Sequence, residues 1–222
     1  MPQLNILNST MTVLKIPYAE RVSANKLEMA SLFDQLPYHM IDQVSWNTFP
    51  YKPEAFFKIA YTHEAILLHY EVKEKYLRIN SFQSNDPVYE DSCVEFFISF
   101  KDGLYYNFEF NAIGVGLIGY GTSEKSSRER LSNSVIERVK SFSEIATNVE
   151  REGVNWKLSL YIPFEVFDRD HIESLKGIKA TANFYKCGDL LPEPHFVSWK
   201  PIQAPEPNFH LPDFFGEIEF TE

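Results

Sequence analysis

The chain has 222 residues, 44% hydrophobic and 15% aromatic, with 19 Phe and 12 Tyr. That is enough apolar surface for a real core, which excludes a disordered chain and favours strands over helices. A formal net charge of −10 disfavours nucleic acid or an anionic membrane as partner, and no run is apolar enough to span a bilayer.

In chain order, residues 11–17 (MTVLKIP) read as an edge strand, because Pro17 cannot donate to a ladder. Residues 23–36 carry a short helical pattern, and 38–46 (YHMIDQVSW) alternate as a strand. AFFKIAYT and AILLHYEV, separated by His63 and Glu64, form a short-loop hairpin. Residues 80–90 are a polar loop ending near Tyr89.

The most informative stretch is 91–116, DSCVEFFISFKDGLYYNFEFNAIGVG. It reads as a hairpin turning at Lys101, Asp102 and Gly103, with Gly103 free to take positive φ. Strand side chains alternate between faces. Symmetric pairing sets Phe100 against Leu104, Ile98 against Tyr106, Phe96 against Phe108 and Val94 against Phe110, a continuous aromatic face. The opposite face pairs Phe97 with Asn107 and Glu95 with Glu109. Two opposed carboxylates are unfavourable and need an Arg or Lys, a cation, a shared proton or a hydroxyl-bearing ligand.

Beyond the hairpin, Gly114 to Gly119 match GxGxxG, but no amphipathic helix starts there. A strand edge and turn is the better reading than a dinucleotide site. Residues 126–140 (SSRERLSNSVIERVK) hold the one concentrated basic stretch, a loop or short helix that can bring Arg128 or Arg130 over the glutamates. Residues 154–163 are a strand, 163–177 a helix candidate opened by Pro163 and closed by Gly177, and 178–188 another strand. Residues 190–213 contain six prolines, too many for a central strand. They form a long ordered loop carrying His195, Phe196, Trp199, Phe209 and His210. FFGEIEF is the last strand.

Many short strands with one or two short helices predict an all-β antiparallel sandwich. No repeat or linker divides residues 1–222, which are expected to form a single domain. Cys93 and Cys187 have no zinc-type spacing; whether they meet across a sheet is open. The N-terminus lacks a basic segment followed by a long apolar one, so the expected compartment is the cytoplasm. No histidine pair has metal-ligand spacing, and no GxSxG marks a nucleophile.

Residues 91–98 (DSCVEFFI), the FxxN of Phe108 to Asn111, the terminal PDFFG and Trp46 resemble the family 9 carbohydrate-binding modules. NFYKCGD, PHFVSW and FHLPDFFGEIEF are similar to a stand-alone, Bacteroidetes-type bacterial subgroup of that family. The resemblance implies an immunoglobulin-like sandwich that binds the ends of sugar chains, often as an accessory of xylanases in carbohydrate catabolism. Its two ring positions fall on Tyr89 and Phe209, where well-understood members carry tryptophan. Its polar positions fall on Glu95 and Asn111, and Glu109 replaces an arginine. Calcium also occurs in the family.

The expected function is non-catalytic binding of an oligo- or polysaccharide, with Tyr89 and Phe209 as clamp and Glu95, Glu109 and Asn111 as hydrogen-bonding groups. Arg128 and Lys186 are candidates to offset the glutamates, and Trp199 is an alternative platform. One alternative is a glycoside-processing enzyme using Glu95 and Glu109. The other is a decayed sugar site that serves as a protein-interaction scaffold.

Overall fold

The structure, a computed structural model, describes residues 13–101, 103–148 and 153–222. β1 (Leu14–Ile16) and helix α1 (Lys26–Phe33) lead to two-residue strands β2 (His39–Met40) and β3 (Gln43–Val44). The hairpins β4 (Glu54–Tyr61) with β5 (Ala65–Glu74) and β6 (Cys93–Lys101) with β7 (Leu104–Asn111) follow. β8 (Gly116–Gly121), β9 (Glu129–Arg130), helix α2 (Asn133–Ile136), β10 (Lys140–Asn148) and β11 (Gly153–Pro163) come next. β12 (Lys179–Cys187), β13 (Phe196–Ser198) and β14 (Gly216–Phe220) close the chain.

The larger sheet runs β1-β14-β12-β6-β7-β8-β9, with β13 on β12 and β3 on β13; the smaller runs β10-β11-β5-β4-β2. The ladders are antiparallel except β1 with β14. The protein is therefore the expected β-sandwich. Between the sheets, Val94, Phe96, Ile98, Tyr106, Phe108 and Phe110 meet Ile66, Leu68, Tyr70, Trp156, Leu158 and Leu160 in one core. Phe184 stacks on Phe57 at 3.7 Å and on Phe96 at 5.0 Å, tying β12, β4 and β6 together.

The central hairpin has the expected register from Val94–Phe110 to Ile98–Tyr106. At its tip Lys101, not Phe100, faces Leu104. The irregularity is held by the Ser99 hydroxyl, 2.6 Å from both the Lys101 and Leu104 carbonyl oxygens. Asp102 lies outside the described residues, as do Met11 and Thr12 of the first predicted strand.

Other elements differ from expectation. Residues 38–46 are not one strand: β2 pairs with β4 in the smaller sheet and β3 with β13 in the larger. The helix expected at 163–177 is only a 3₁₀ turn, Phe164–Val166. Its apolar residues pack individually, with Phe167 between Phe100 and Tyr106. β10 carries too weak an alternation to be read from sequence. The Pro-rich segment contains the short strand β13 but is otherwise the expected loop. Asn183 clasps it: the side-chain oxygen accepts from Lys200 N–H at 2.9 Å, and the amide donates to the Lys200 carbonyl at 3.2 Å.

At one end of the sandwich lies a buried ion pair. Lys186 Nζ sits 2.9 Å from Glu74 Oε2, donates to the Cys187 carbonyl at 2.7 Å and lies 2.9 Å from His195 Nε2. Trp156 Nε1 donates to the other Glu74 oxygen at 2.6 Å. Breaking such a pair leaves a buried charge without a partner. Lys186→Met should lower the unfolding free energy by about 3–5 kcal/mol in urea melts. Adding Glu74→Gln, which keeps an acceptor for Trp156, should recover part of the loss.

Candidate functional site

The outward face of the larger sheet is not bare. Polar loop 80–90 and the Pro-rich loop fold over it, leaving a cavity of about 510 Å³. Alternation on β6 and β7 decides its floor: the parity that sends Phe96 and Phe108 into the core sends Glu95, Asn107 and Glu109 outward. Glu95 stands opposite Glu109 on one side and Tyr185 on the other. Gly119 on β8 lies beneath the Asn107 amide, where an added Cβ would come within 2.5 Å of Oδ1.

The two carboxyls are deeply buried, at 3% and 5% exposure. Burial pushes Glu95 well above the usual carboxylate range, with the neighbouring Cys187 and Glu109 adding to the effect. Burial also lifts Glu109 to about 7, against a lowering hydrogen bond from Asn107. The Cys187 thiol donates to Glu95 Oε1 at 3.0 Å and Asn107 Nδ2 donates to Glu109 Oε1 at 2.8 Å. Protonation thus relieves the opposed pair. Arg128 and Arg130 line the cavity and only draw Glu109 down from a distance.

Tyr89 and Phe209 line the cavity with Phe196. Tyr89 is positioned by its own carbonyl, which accepts from Asp189 N–H at 3.1 Å. That loop is in turn anchored by buried Asp91, which accepts from Asn80 and Ser81 N–H, each at 2.9 Å. One face of Phe209 is stacked on Tyr185 at 4.1 Å, and its carbonyl accepts from the Tyr185 hydroxyl at 3.2 Å. Trp46, whose Nε1 donates to the Ala204 carbonyl at 2.9 Å, packs behind both Phe196 and Phe209.

Of the sequence-derived site residues, the structure brings Tyr89, Glu95, Glu109, Arg128 and Phe209 to one cavity. Three others are elsewhere. Asn111 is fully buried and occupied: its amide donates to the Ser81 carbonyl and Asp91 Oδ2, and its oxygen accepts from Ile113 and Val115 N–H. Lys186 has the opposite parity to Cys187 and neutralises Glu74 instead of the cavity glutamates. Trp199 packs at the core edge against Phe57 and Phe184, with Lys200 Nζ 4.1 Å from its ring centre. Each correction has one cause: a loop or strand direction that motif position alone does not supply.

Sequence reasoning missed Asn107, Asp189, Phe196 and Cys187. Asn107 and Cys187 were recoverable, because both share the outward parity of their strands. Asp189 sits on a loop, and Phe196 opens the three-residue strand β13, too short for a periodicity to follow. Two polar atoms of the lining, Arg128 Nε and Asn107 Oδ1, are buried without a hydrogen-bond partner among the described residues.

The sequence model of carbohydrate-binding family 9 matches residues 25–220. The chain belongs to that family. It is 37% identical to a Bacteroides uniformis protein proposed to bind carbohydrate, over 94% of this chain and 98% of that one, with a TM-score of 0.86. A family 9 module of Caldicellulosiruptor kristjanssonii, solved with cellotriose, shares the fold at 12% identity. It has a TM-score of 0.61 over 95% of this chain and 94% of that one. A family 9 module of the same organism, solved with glucose, gives a TM-score of 0.57 at 12% identity, over 94% and 95% of the two chains. No curated protein matches the chain.

Among the described residues the one convergent group of three or more His, Cys, Asp or Glu side chains is Cys93, Glu95 and Cys187, and calcium takes oxygen ligands, not thiols.

Two predictions follow from the geometry of the floor. Gly119→Ala forces the Asn107 amide off its seat, so overpacking should cost about 1–3 kcal/mol in urea unfolding. The second concerns His210, whose Nδ1 lies 2.9 Å from the Tyr105 hydroxyl. Burial, with Arg128 and Lys125 nearby, holds its pKa down to about 3 from 6.5. The unfolded chain takes up a proton on this ring below about 6.5 and the folded chain refuses it, so acid favours unfolding. His210→Asn should flatten the decline of stability below pH 6.5 by at most about 1.4 kcal/mol per pH unit. An unchanged slope would place that acid sensitivity in other groups.

Proposed function

We propose that this family 9 protein is a non-catalytic module that binds an oligo- or polysaccharide end in the cavity over β6 and β7, in the service of carbohydrate catabolism. The observation that carries the reading is an unpaired buried donor, Arg128 Nε, and an unpaired buried acceptor, Asn107 Oδ1. Both residues line one aromatic-walled cavity. A sugar hydroxyl is donor and acceptor at once, so vicinal hydroxyls satisfy both kinds of group. Tyr89 and Phe209 supply apolar surface for the C–H face of the ring. The volume suits a small-molecule site. The solved family 9 complexes with cellotriose and glucose support the same ligand class.

Catalysis by the glutamate pair fits less well. Directly opposed residues hold their Cβ atoms only about 5 Å apart, which crowds a glycosidic bond out of the space between them. Turnover of aryl-glycosides by the purified protein would revive that alternative.

A thermal-shift screen against mono- and oligosaccharides tests the proposal. A ligand at about 100 times its Kd adds roughly 2.7 kcal/mol, which raises Tm by about 5–10 °C in a chain this long. Tyr89→Ala should abolish the shift, and Arg128→Met should weaken binding roughly tenfold or more, the cost of one charged hydrogen bond. A flat screen with folded protein would favour the decayed site and a protein partner.

A further inference from the structure

In the floor of the cavity Glu95 stands beside two buried cysteines that the sugar reading does not use. Cys93 and Cys187 stand directly opposite one another in the β6–β12 ladder. Glu95 is two residues along β6 and therefore on the same face. The two thiol sulfurs and a Glu95 carboxylate oxygen all lie within 4.8 Å of one another, and all three residues are buried. We propose that Cys93, Glu95 and Cys187 bind a soft divalent cation of the zinc type, with a coordination position open to the cavity.

Three observations carry it. The first is spacing. Tetrahedral zinc with bonds of about 2.0–2.3 Å sets its ligand atoms roughly 3.5–4 Å apart, which the cluster meets with sub-ångström adjustment. Two neighbouring strands in a fixed register supply all three donors, so little conformational freedom is left to lose on binding. The second is donor chemistry. Two thiolates and one carboxylate select zinc and its relatives over calcium or magnesium. The third is access. Cys187 and Glu95 line the cavity while Cys93 does not, so an ion entering from solvent meets two ligands first and closes on the third. Three protein ligands with a fourth position facing a cavity is the arrangement of zinc sites that keep an exchangeable ligand.

Without the ion, the Cys187 thiol donates to Glu95 Oε1 at 3.0 Å. The metal takes the place of that hydrogen, and the protons of both thiols and of the Glu95 carboxyl leave to solvent. The nearest buried cation does not compete, because Lys186 is committed to Glu74 on the other face. The rival chemistry of two opposed cysteines is a disulfide, which would consume both sulfur donors.

The test uses the full chain, freed of metal and kept reduced, and reads the metal alone, so it stands whether or not a sugar binds. Cobalt(II) titration should give, at one equivalent, a thiolate-to-cobalt charge-transfer band and tetrahedral d–d absorption, both removed by zinc(II). Cys187→Ser should roughly halve the charge-transfer intensity. It should also weaken binding by about tenfold or more, since losing even an outer-shell partner of a metal costs that much. Glu95→Gln should weaken binding while keeping the thiolate band. The proposal is overturned by the absence of that band in folded, reduced wild-type protein. It is equally overturned by an unaltered spectrum in Cys187→Ser, by calcium displacing cobalt better than zinc does, or by thiol counting that finds the pair joined under reductant. The wild-type titration decides the matter even if a serine variant does not fold.

Discussion

The ladder of β6 between β7 and β12 is the constraint on which the rest of the molecule depends. Its antiparallel register sets Glu95 against Glu109 on one side and Tyr185 on the other, and Cys93 against both Asn111 and Cys187. Because strand side chains alternate, the pairings that fill the core with Phe96, Phe108 and Phe184 also build the polar floor behind it. A one-residue slip would bring the glutamates into the core and turn the phenylalanines to the cavity. Core packing therefore enforces the geometry of the floor.

That enforcement has an electrostatic consequence. Burial raises both floor carboxyls toward the protonated form, and the Glu109 charge adds to the rise at Glu95. A protonated carboxyl donates as well as accepts. Asp189 at the mouth follows the same logic, pushed by burial to about 6. The cavity lining carries Lys125, Arg128 and Arg130 against Glu129, in a protein whose overall charge is −10. Local sign and global sign differ, which is why net charge alone says little about the ligand of this site.

Much of the fold was legible because periodicity speaks directly about strands. The β4–β5 hairpin, β11, β12 and the face assignment of β6 and β7 all follow from alternation. The tip of the central hairpin did not, since Ser99 bonding to two carbonyls is a local choice that no hydrophobic pattern encodes. Residues 163–177 have helix-like punctuation at both ends, yet Phe164, Val166 and Phe167 are each buried by tertiary contact, and packing overrides propensity. For the site, strand parity was the reliable guide. Lys186 could have been excluded on parity, as its neighbours Tyr185 and Cys187 are the outward ones. Asn111 could not, because its parity is right and only the return of the loop through Ser81 and Asp91 consumes its hydrogen bonds.

The aromatic walls show how far family membership carries and where this chain departs from it. Tyr89 and Phe209, the ring positions that the resemblance implies, both line the cavity, but they are not equivalent. Phe209 is only 7% exposed and already holds Tyr185 against one face, so its position is part of the secondary core with Trp46, Phe97 and Tyr105. Tyr89 stands on a loop, half-buried, its hydroxyl pushed up by burial and by Glu90. A platform needs a free face, and a wall needs only to be immovable. Tyr89 is the more exposed of the two and Phe209 the more fixed, so under the proposed reading a sugar would stack on Tyr89 and be braced by Phe209. An asymmetric grip of that kind would lean more on hydrogen bonds than a pair of free rings, and Arg128 and Asn107, each with an unpaired buried polar atom, are among the lining residues.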